Sequence, residues 1–384
     1  MSSGLSRLSN METLRPTMCE INLSALGRNY DNLSKHVGGS VVMPVIKADA
    51  YGHGIREVGL HFQKIGAKRL AVAYVEEGIM LREAGVILPI QVMGSVVQRQ
   101  IPLYLEHNLI ITAPCKEKLI QINDTAKALN KQAVVHLKID TGMGRIGVRY
   151  DAAEPLLEQS LRCEAVTVEG IFSHFARSDE ADLGPALLQL ERFHKVLEFY
   201  PRRGLPCPLR HIANSGAVAQ MPQANLDIVR PGIIMYGVYP SPDTKRTVSV
   251  EPVLTWRSEV GFVKQIEAGT PVSYGATWSP AQPTTVVTLP VGYADGYSRC
   301  FSSNAEVLIK GQRYPVVGRV CMDQTMVDLA VAGAHVSSGD RATLIGCDGA
   351  HSITAQDLAV WAGTIAYEIL TSISARVPRV YVEK

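Results

Sequence analysis

The sequence predicts an α/β chain of two domains, an N-terminal (β/α)8 TIM-like barrel followed by a mainly β domain. Three observations carry that reading. Short apolar runs alternate with amphipathic stretches between about Cys19 and Gly237, giving eight strand signals, mostly with helical patterns between them. Polar and basic residues fall just past the C-terminal ends of these runs, on the face where a barrel gathers its chemistry. Beyond about Val250 the period becomes two, with Gly and Pro turns between alternating stretches. At 384 residues the chain is also long for a single core.

In chain order, residues 1–14 are polar and Ser-rich and read as a flexible tail rather than a secretory signal. Ser24 is expected to cap an amphipathic stretch through His36. Val41–Ile46 reads as the first buried strand and ends on Lys47. Gly52, His53 and Gly54 then turn the chain into a helix from Ile55 to Gly66. Further strands are expected at Leu70–Tyr74, Ile90–Met93, Leu109–Ile111, Val134–Ile139, Val166–Phe172, Leu209–Ile212 and Asp227–Val229. Helical patterns cover Glu76–Ala84, Lys116–Asn130 and Ala186–Tyr200. The barrel is assigned residues 15–250 and the β domain residues 251–384, with a linker near Ser249 to Pro252. In that second domain one helix, Thr354 to Thr371, interrupts short strands such as Thr285–Leu289, Glu306–Ile309 and Val380–Val382.

Composition narrows the function. A net charge of +2 gives no reason to expect nucleic acid or a membrane surface as partner. No apolar run approaches the ~18 residues of a membrane span. Seven cysteines, odd in number and without the close spacing of a zinc or redox motif, fit a reduced cytoplasmic setting and no metal.

The barrel face supplies the chemistry. A lysine at the end of a buried strand is placed where burial depresses its pKa and makes its amine a nucleophile toward carbonyls. Arg145 lies just past strand five, His174 ends strand six, Asn214 and Ser215 end strand seven, and Arg230-Pro231-Gly232 ends strand eight. Ser215-Gly216 and Gly232-Ile233 occupy the loops that commonly hold a phosphate in barrels. A nucleophilic lysine facing a phosphate fits two chemistries, a carbonyl-condensing aldolase on a sugar phosphate and a pyridoxal phosphate enzyme. These residues do not separate them.

The motif Val45-Ile46-Lys47-Ala48-Asp49-Ala50-Tyr51-Gly52-His53-Gly54, with KIDTGMGRIG, SHFARSDE, HIANSGA and DIVRPGIIMYG, closely resembles the alanine racemase family. VSYGATW, VGYADGY and VGRVCMDQTMVD match in the second domain, so the resemblance runs from about Arg15 to Val382. It implies a fold-type III pyridoxal 5'-phosphate enzyme, a head-to-tail homodimer with the active site shared between chains. The implied reaction interconverts L- and D-alanine by two bases and supplies D-alanine for peptidoglycan. By match, Lys47 bonds the cofactor and serves one face of the substrate, while Tyr274 of the partner subunit serves the other. Read without the resemblance, Tyr274 is a half-buried β-domain aromatic. Tyr51, Ser215, Gly232 and Ile233 resemble the phosphate ligands, Asn214 and His174 join the cofactor set, and Arg230 resembles the donor to the pyridine nitrogen. A guanidinium keeps its proton near neutral pH, so that nitrogen should stay unprotonated and the cofactor should be a restrained electron sink. Arg145 and the backbone amide of Met322 are implied substrate carboxylate contacts. Lys138 matches a lysine that often carries a carbamate. Asp179, Tyr293 and Arg319 resemble residues lining the substrate approach, with Arg299 more peripheral and Cys321 and Asp323 in support.

One position departs from the pattern. Many family members place a tyrosine before the C-terminal Arg-Val-Pro-Arg, and here that position is Ala375. A roomier pocket rejects an added hydroxyl poorly, which makes serine the candidate second substrate. A broader or serine-preferring racemase is therefore the alternative within the family. Outside that class stands a non-catalytic barrel that binds pyridoxal phosphate for cofactor homeostasis, which would lack the second domain.

Overall fold

A computed structural model describes residues 15–330 and 335–384, so the tail expected at residues 1–14 lies outside the described residues. The chain divides into two units, Leu26–Glu251 and a second that combines the chain through Ala25 with Pro252–Lys384.

In the first unit, apolar strands too short for helices pair in parallel and are sealed outside by helices. Leu70–Val72, Ile90–Val92, Ile110–Ala113, Ala133–Asp140, Val166–Phe172 and Leu209–His211 pair in that order. Ile228–Val229 pairs with Val41–Val42. Two seams complete the ring. Ile46 donates to the Ala71 carbonyl and Ala71 to the Pro44 carbonyl, both at 2.9 Å; across the other seam Asp227 donates to Arg210 at 3.1 Å and Arg230 to Ala213 at 3.0 Å. Eight strands thus close into a parallel barrel, as the alternation of segments predicts. Ile111, Val135, Leu137, Ile139 and Ile171 are wholly buried, which is why these strands read as continuous apolar runs.

The second unit is built on an antiparallel pattern. Cys19 in the strand Met18–Asn22 lies opposite Trp256 of Leu254–Glu259 on one side and pairs in parallel with Arg379 of Arg379–Val382 on the other. The barrel assigned to residues 15–250 therefore starts too early: the strand Met18–Asn22 completes the β sheet instead. A three-stranded sheet of Phe262–Ile266, Thr284–Leu289 and Thr325–Asp328 carries a small core of Ile266, Val272 and Val286.

Two local expectations are also corrected. Asn22, not Ser24, caps the first helix, its side-chain oxygen accepting from Ala25 N–H at 3.0 Å. The helix expected from Thr354 to Thr371 is two, Ala355–Ala362 and Ala366–Ser372, because Gly363 takes a left-handed C-cap at φ 67°.

Candidate active site

Lys47 opens an unusual turn. Ala48, Asp49, Ala50 and Tyr51 all stand in the left-handed region, with φ between 52° and 54°. Each such non-glycine residue costs roughly 1–2 kcal/mol, so surrounding contacts must hold the turn in place. Glu77 supplies one hold, accepting from Ala48 N–H at 2.6 Å and from Ala73 and Tyr74 N–H at 2.8 and 3.1 Å. Asp49 accepts from Ile55 N–H at 2.8 Å and so starts the helix Ile55–Lys64. Beneath, the ring of Tyr236 packs against both Tyr51 and His53, and its hydroxyl donates to the Val45 carbonyl at 3.2 Å. Burial, then the Arg145 cation, lowers the Lys47 ammonium from its ordinary pKa, with Glu77 opposing.

Tyr51 is buried, and its hydroxyl lies 2.3 Å from where a Cβ on Gly232 would stand. Ser215 Oγ accepts from Gly232 N–H at 2.8 Å and from Ile234 N–H at 3.5 Å. Asn214 caps the turn that carries Ser215, accepting from Ala217 N–H at 3.1 Å and from the Ser178 hydroxyl at 2.6 Å. Two hydroxyls and the backbone amides of Gly232 and Ile234 gather around a missing side chain and form a cradle that suits a phosphate. Ile233 is buried beside it. Asp179 contributes its backbone here, its carbonyl accepting from Ser241 and Thr244 hydroxyls.

Arg230 is almost wholly buried and meets no carboxylate among its hydrogen-bond partners. It donates to the carbonyls of Ser173 and Ile212 at 2.7 and 3.2 Å, to His211 Nδ1 at 2.8 Å and to His174 Nδ1 at 3.3 Å. Burial and the surrounding cations, Arg230 first, hold the His174 imidazole well below its usual range, hence neutral and able to accept. A cavity of about 300 Å³ opens between Lys47, Tyr74, Lys138, Arg145, Phe172 and His174. Arg145 reaches it from a loop that Asp140 organises by accepting from Gly142, Met143 and Gly144 N–H. Lys138 is buried over the Phe172 ring at 4.9 Å and donates to the Ile139 carbonyl. Burial, then Arg230, holds its ammonium well below the usual lysine value.

The second unit gathers another set. Tyr274 is 70% exposed, not half-buried. Ser273 before it takes φ 68° and donates its hydroxyl to the Arg319 carbonyl at 2.6 Å, with Cys321 Sγ 3.5 Å away. Gly275 leaves room for the Arg319 guanidinium, which a Cβ there would approach to 3.1 Å. Tyr293 N–H donates to the Cys321 carbonyl and Ala294 N–H to that of Met322, so Tyr293 and the exposed Met322 share one edge. Asp323 pairs with Arg376 at 2.7 Å. Arg299 and Tyr293 line a separate cavity of about 590 Å³, and Ala375 is exposed.

Several residues escaped sequence reading. Glu77 looks like an ordinary helix-start acid, Asp140 like a turn residue, and His136, His211 and Glu169 like strand positions. No sequence signal distinguishes them; barrel closure brings them to the site.

A closed barrel carries a lysine, an anion-suited cradle and an arginine with no carboxylate partner at its strand ends, and the chain continues into a β unit. Residues 21–240 match the family model "Alanine racemase, N-terminal domain", and residues 253–381 "Alanine racemase, C-terminal domain". An alanine racemase of Carboxydothermus hydrogenoformans is 44% identical over 370 residues, 96% of this chain and 100% of that protein. The alanine racemase structure from Streptomyces coelicolor superimposes with a TM-score of 0.92 at 38% identity, covering 98% of this chain and 100% of that one. That of the Bartonella henselae enzyme "with covalently bound pyridoxal phosphate" gives 0.87 at 27% identity, over 96% and 99% of the two chains. The chain belongs to the alanine racemase family.

Proposed function

We propose that the chain is a pyridoxal 5'-phosphate-dependent racemase of L- and D-alanine, cytoplasmic and supplying D-alanine for peptidoglycan. The observation that carries this is the pairing of Lys47 with two complementary elements, the Tyr51–Ser215–Gly232 cradle and the Arg230 guanidinium. Their donor set fits the cofactor's phosphate and its ring nitrogen, and the cofactor-bearing Bartonella relative supports the assignment. Bound there, the cofactor supplies an aldehyde that Lys47 can engage and a ring that acidifies the substrate α carbon.

The residues then divide the work. Lys47 Nζ, eased toward its neutral form by burial, moves a proton on one face. Tyr274 of the partner subunit moves one on the opposite face, so a homodimer completes each site. The exposure of Tyr274 supports its meeting another surface. Arg230 donates to the ring nitrogen without surrendering its proton, which restrains side reactions. Arg145 and the Met322 amide bind the substrate carboxylate. Lys138, buried beside other cations, is assigned a carbamate that turns repulsion into attraction; an intact-chain mass checks it. Asp179, Tyr293, Arg319, Arg299, Cys321 and Asp323 shape and support the approach. Ala375 favours a second reading, serine as an added substrate, since its methyl leaves open space where a tyrosine would stand.

The test measures D-alanine formed from L-alanine by protein supplied with pyridoxal phosphate. Activity and a visible cofactor band, both lost in Lys47→Ala, are the expected result; a wild type without either contradicts the proposal.

A further inference from the structure

Behind Arg230 a file of buried groups runs across the barrel. Arg230 Nη1 lies 2.8 Å from His211 Nδ1, His211 Nε2 lies 2.8 Å from His136 Nδ1, and His136 Nε2 lies 2.8 Å from Glu169 Oε2. Glu169 is in turn gripped by both terminal nitrogens of Arg69, at 3.0 and 3.2 Å.

The chemistry of the two ends dictates every proton between them. A guanidinium only donates, so His211 Nδ1 must be bare and its proton must sit on Nε2. That N–H leaves His136 Nδ1 to accept, and the His136 proton must sit on its own Nε2. A carboxylate only accepts, and Glu169 receives it. The direction is unique as long as both ends stay as they are. Both imidazoles are fully buried, so water offers no alternative partner.

The surroundings are built for this file. Phe172 stacks on His211 with centroids 4.8 Å apart and planes 2° from parallel. A Cβ on Gly170 would stand 2.7 Å from His136 Nδ1, so glycine alone leaves space for that ring.

We propose that Glu169 is a positioning residue for the reaction: by fixing the tautomers of His136 and His211, it sets the direction in which Arg230 presents its remaining N–H groups. The inference rests on the reading that Arg230 faces the cofactor ring. Without the carboxylate, the buried His136 Nε2–H loses its acceptor, and only the Arg230 end still opposes the flipped file in which His136 carries its proton on Nδ1. His211 would then have to offer an N–H toward Arg230, setting donor against donor.

Nitrogen-15 spectra of histidine-labelled full-length protein, with and without pyridoxal phosphate, read the tautomers directly. Wild type is expected to show Nε2–H for both residues in both states. Glu169→Gln keeps an accepting oxygen and should keep that pattern. Glu169→Leu should lose the single pattern at His136 and His211, and its kcat should fall on the order of 10- to 100-fold, as for other partners that orient imidazoles. KM should stay within about 2-fold, since substrate contacts are untouched. Arg69→Leu combined with Glu169→Leu serves where the lone arginine prevents folding. Unchanged tautomers in a folded Glu169→Leu or double variant overturn the proposal, as do mixed tautomers with unchanged kcat. A wild type that forms no D-alanine overturns the functional reading instead, and the spectra still decide whether Glu169 governs the file.

Discussion

The Tyr51 hydroxyl stands 2.3 Å from the point a Cβ on residue 232 would occupy, so the two positions fit together because one is glycine. Gly232→Ala should therefore act on the cradle twice, displacing Tyr51 and narrowing the anion space. The expected cost is about 1–3 kcal/mol of stability, the usual range for an overpacked site. Pyridoxal phosphate affinity should fall with it. Adding Tyr51→Phe removes the clashing oxygen and should recover melting temperature but not affinity, because a hydroxyl donor is then missing. Calorimetry and cofactor titration on the single and double variants check both halves.

The left-handed turn after Lys47 invites a different test. Ala48 is exposed and stands at φ 52°, so Ala48→Gly loses little contact and relieves a strain of roughly 1–2 kcal/mol. Greater freedom of the unfolded glycine returns about 0.4–1 kcal/mol of that. The net expectation is a small rise in melting temperature. Glu77→Ala works the other way, freeing three backbone N–H groups, and should lower both melting temperature and kcat.

Acid should weaken the fold in two stages. His136, His174 and His211 are all held below the ordinary histidine value of 6.5, burial being the first cause in each. Between the unfolded and folded values the unfolded chain binds protons that the folded one refuses, so stability falls as pH falls from about 7. Each imidazole adds a slope of at most about 1.4 kcal/mol per pH unit. Glu169 acts lower. The hydrogen bond from His136, then Arg69, pushes it down from 4.5 to about 2, so its contribution is complete above 4.5 and is lost as pH falls toward 2. Melting temperature from pH 8 to 5 should decline; a flat profile would contradict the neutral, buried histidines.

Ala375 bears on specificity. If the small side chain widens the pocket, Ala375→Tyr should raise the ratio of kcat/KM for L-alanine over L-serine, by roughly 10-fold or more if the phenol crowds the added hydroxyl. Equal ratios in the two proteins would remove the argument for serine.

Much of this architecture is legible in the sequence, and the rest is hidden for physical reasons. The eight barrel strands declare themselves because parallel strands buried on both faces are continuous apolar runs. Lys47, Ser215 and Gly232 were findable because strand ends are where barrels place chemistry. The strand Met18–Asn22 reads no differently from a barrel strand, and its antiparallel pairing with Leu254–Glu259 is set more than 200 residues away. The left-handed turn carries two alanines at φ 52° and 54°, residues that do not announce such a conformation. Glu77 and the file from Arg230 to Glu169 are ordinary residue types whose meaning lies in hydrogen bonds made across the closed barrel.

Two bases on opposite faces are the core of the proposed reaction, and solvent deuterium separates them. In deuterium oxide, wild type with L-alanine should form D-alanine deuterated at the α carbon, while Lys47→Ala should form none. Tyr274→Phe should make little D-alanine and yet still exchange the α proton of the one enantiomer whose proton Lys47 faces. Equal D-alanine formation by wild type and Tyr274→Phe, or none by wild type at saturating alanine and pyridoxal phosphate, would contradict the account.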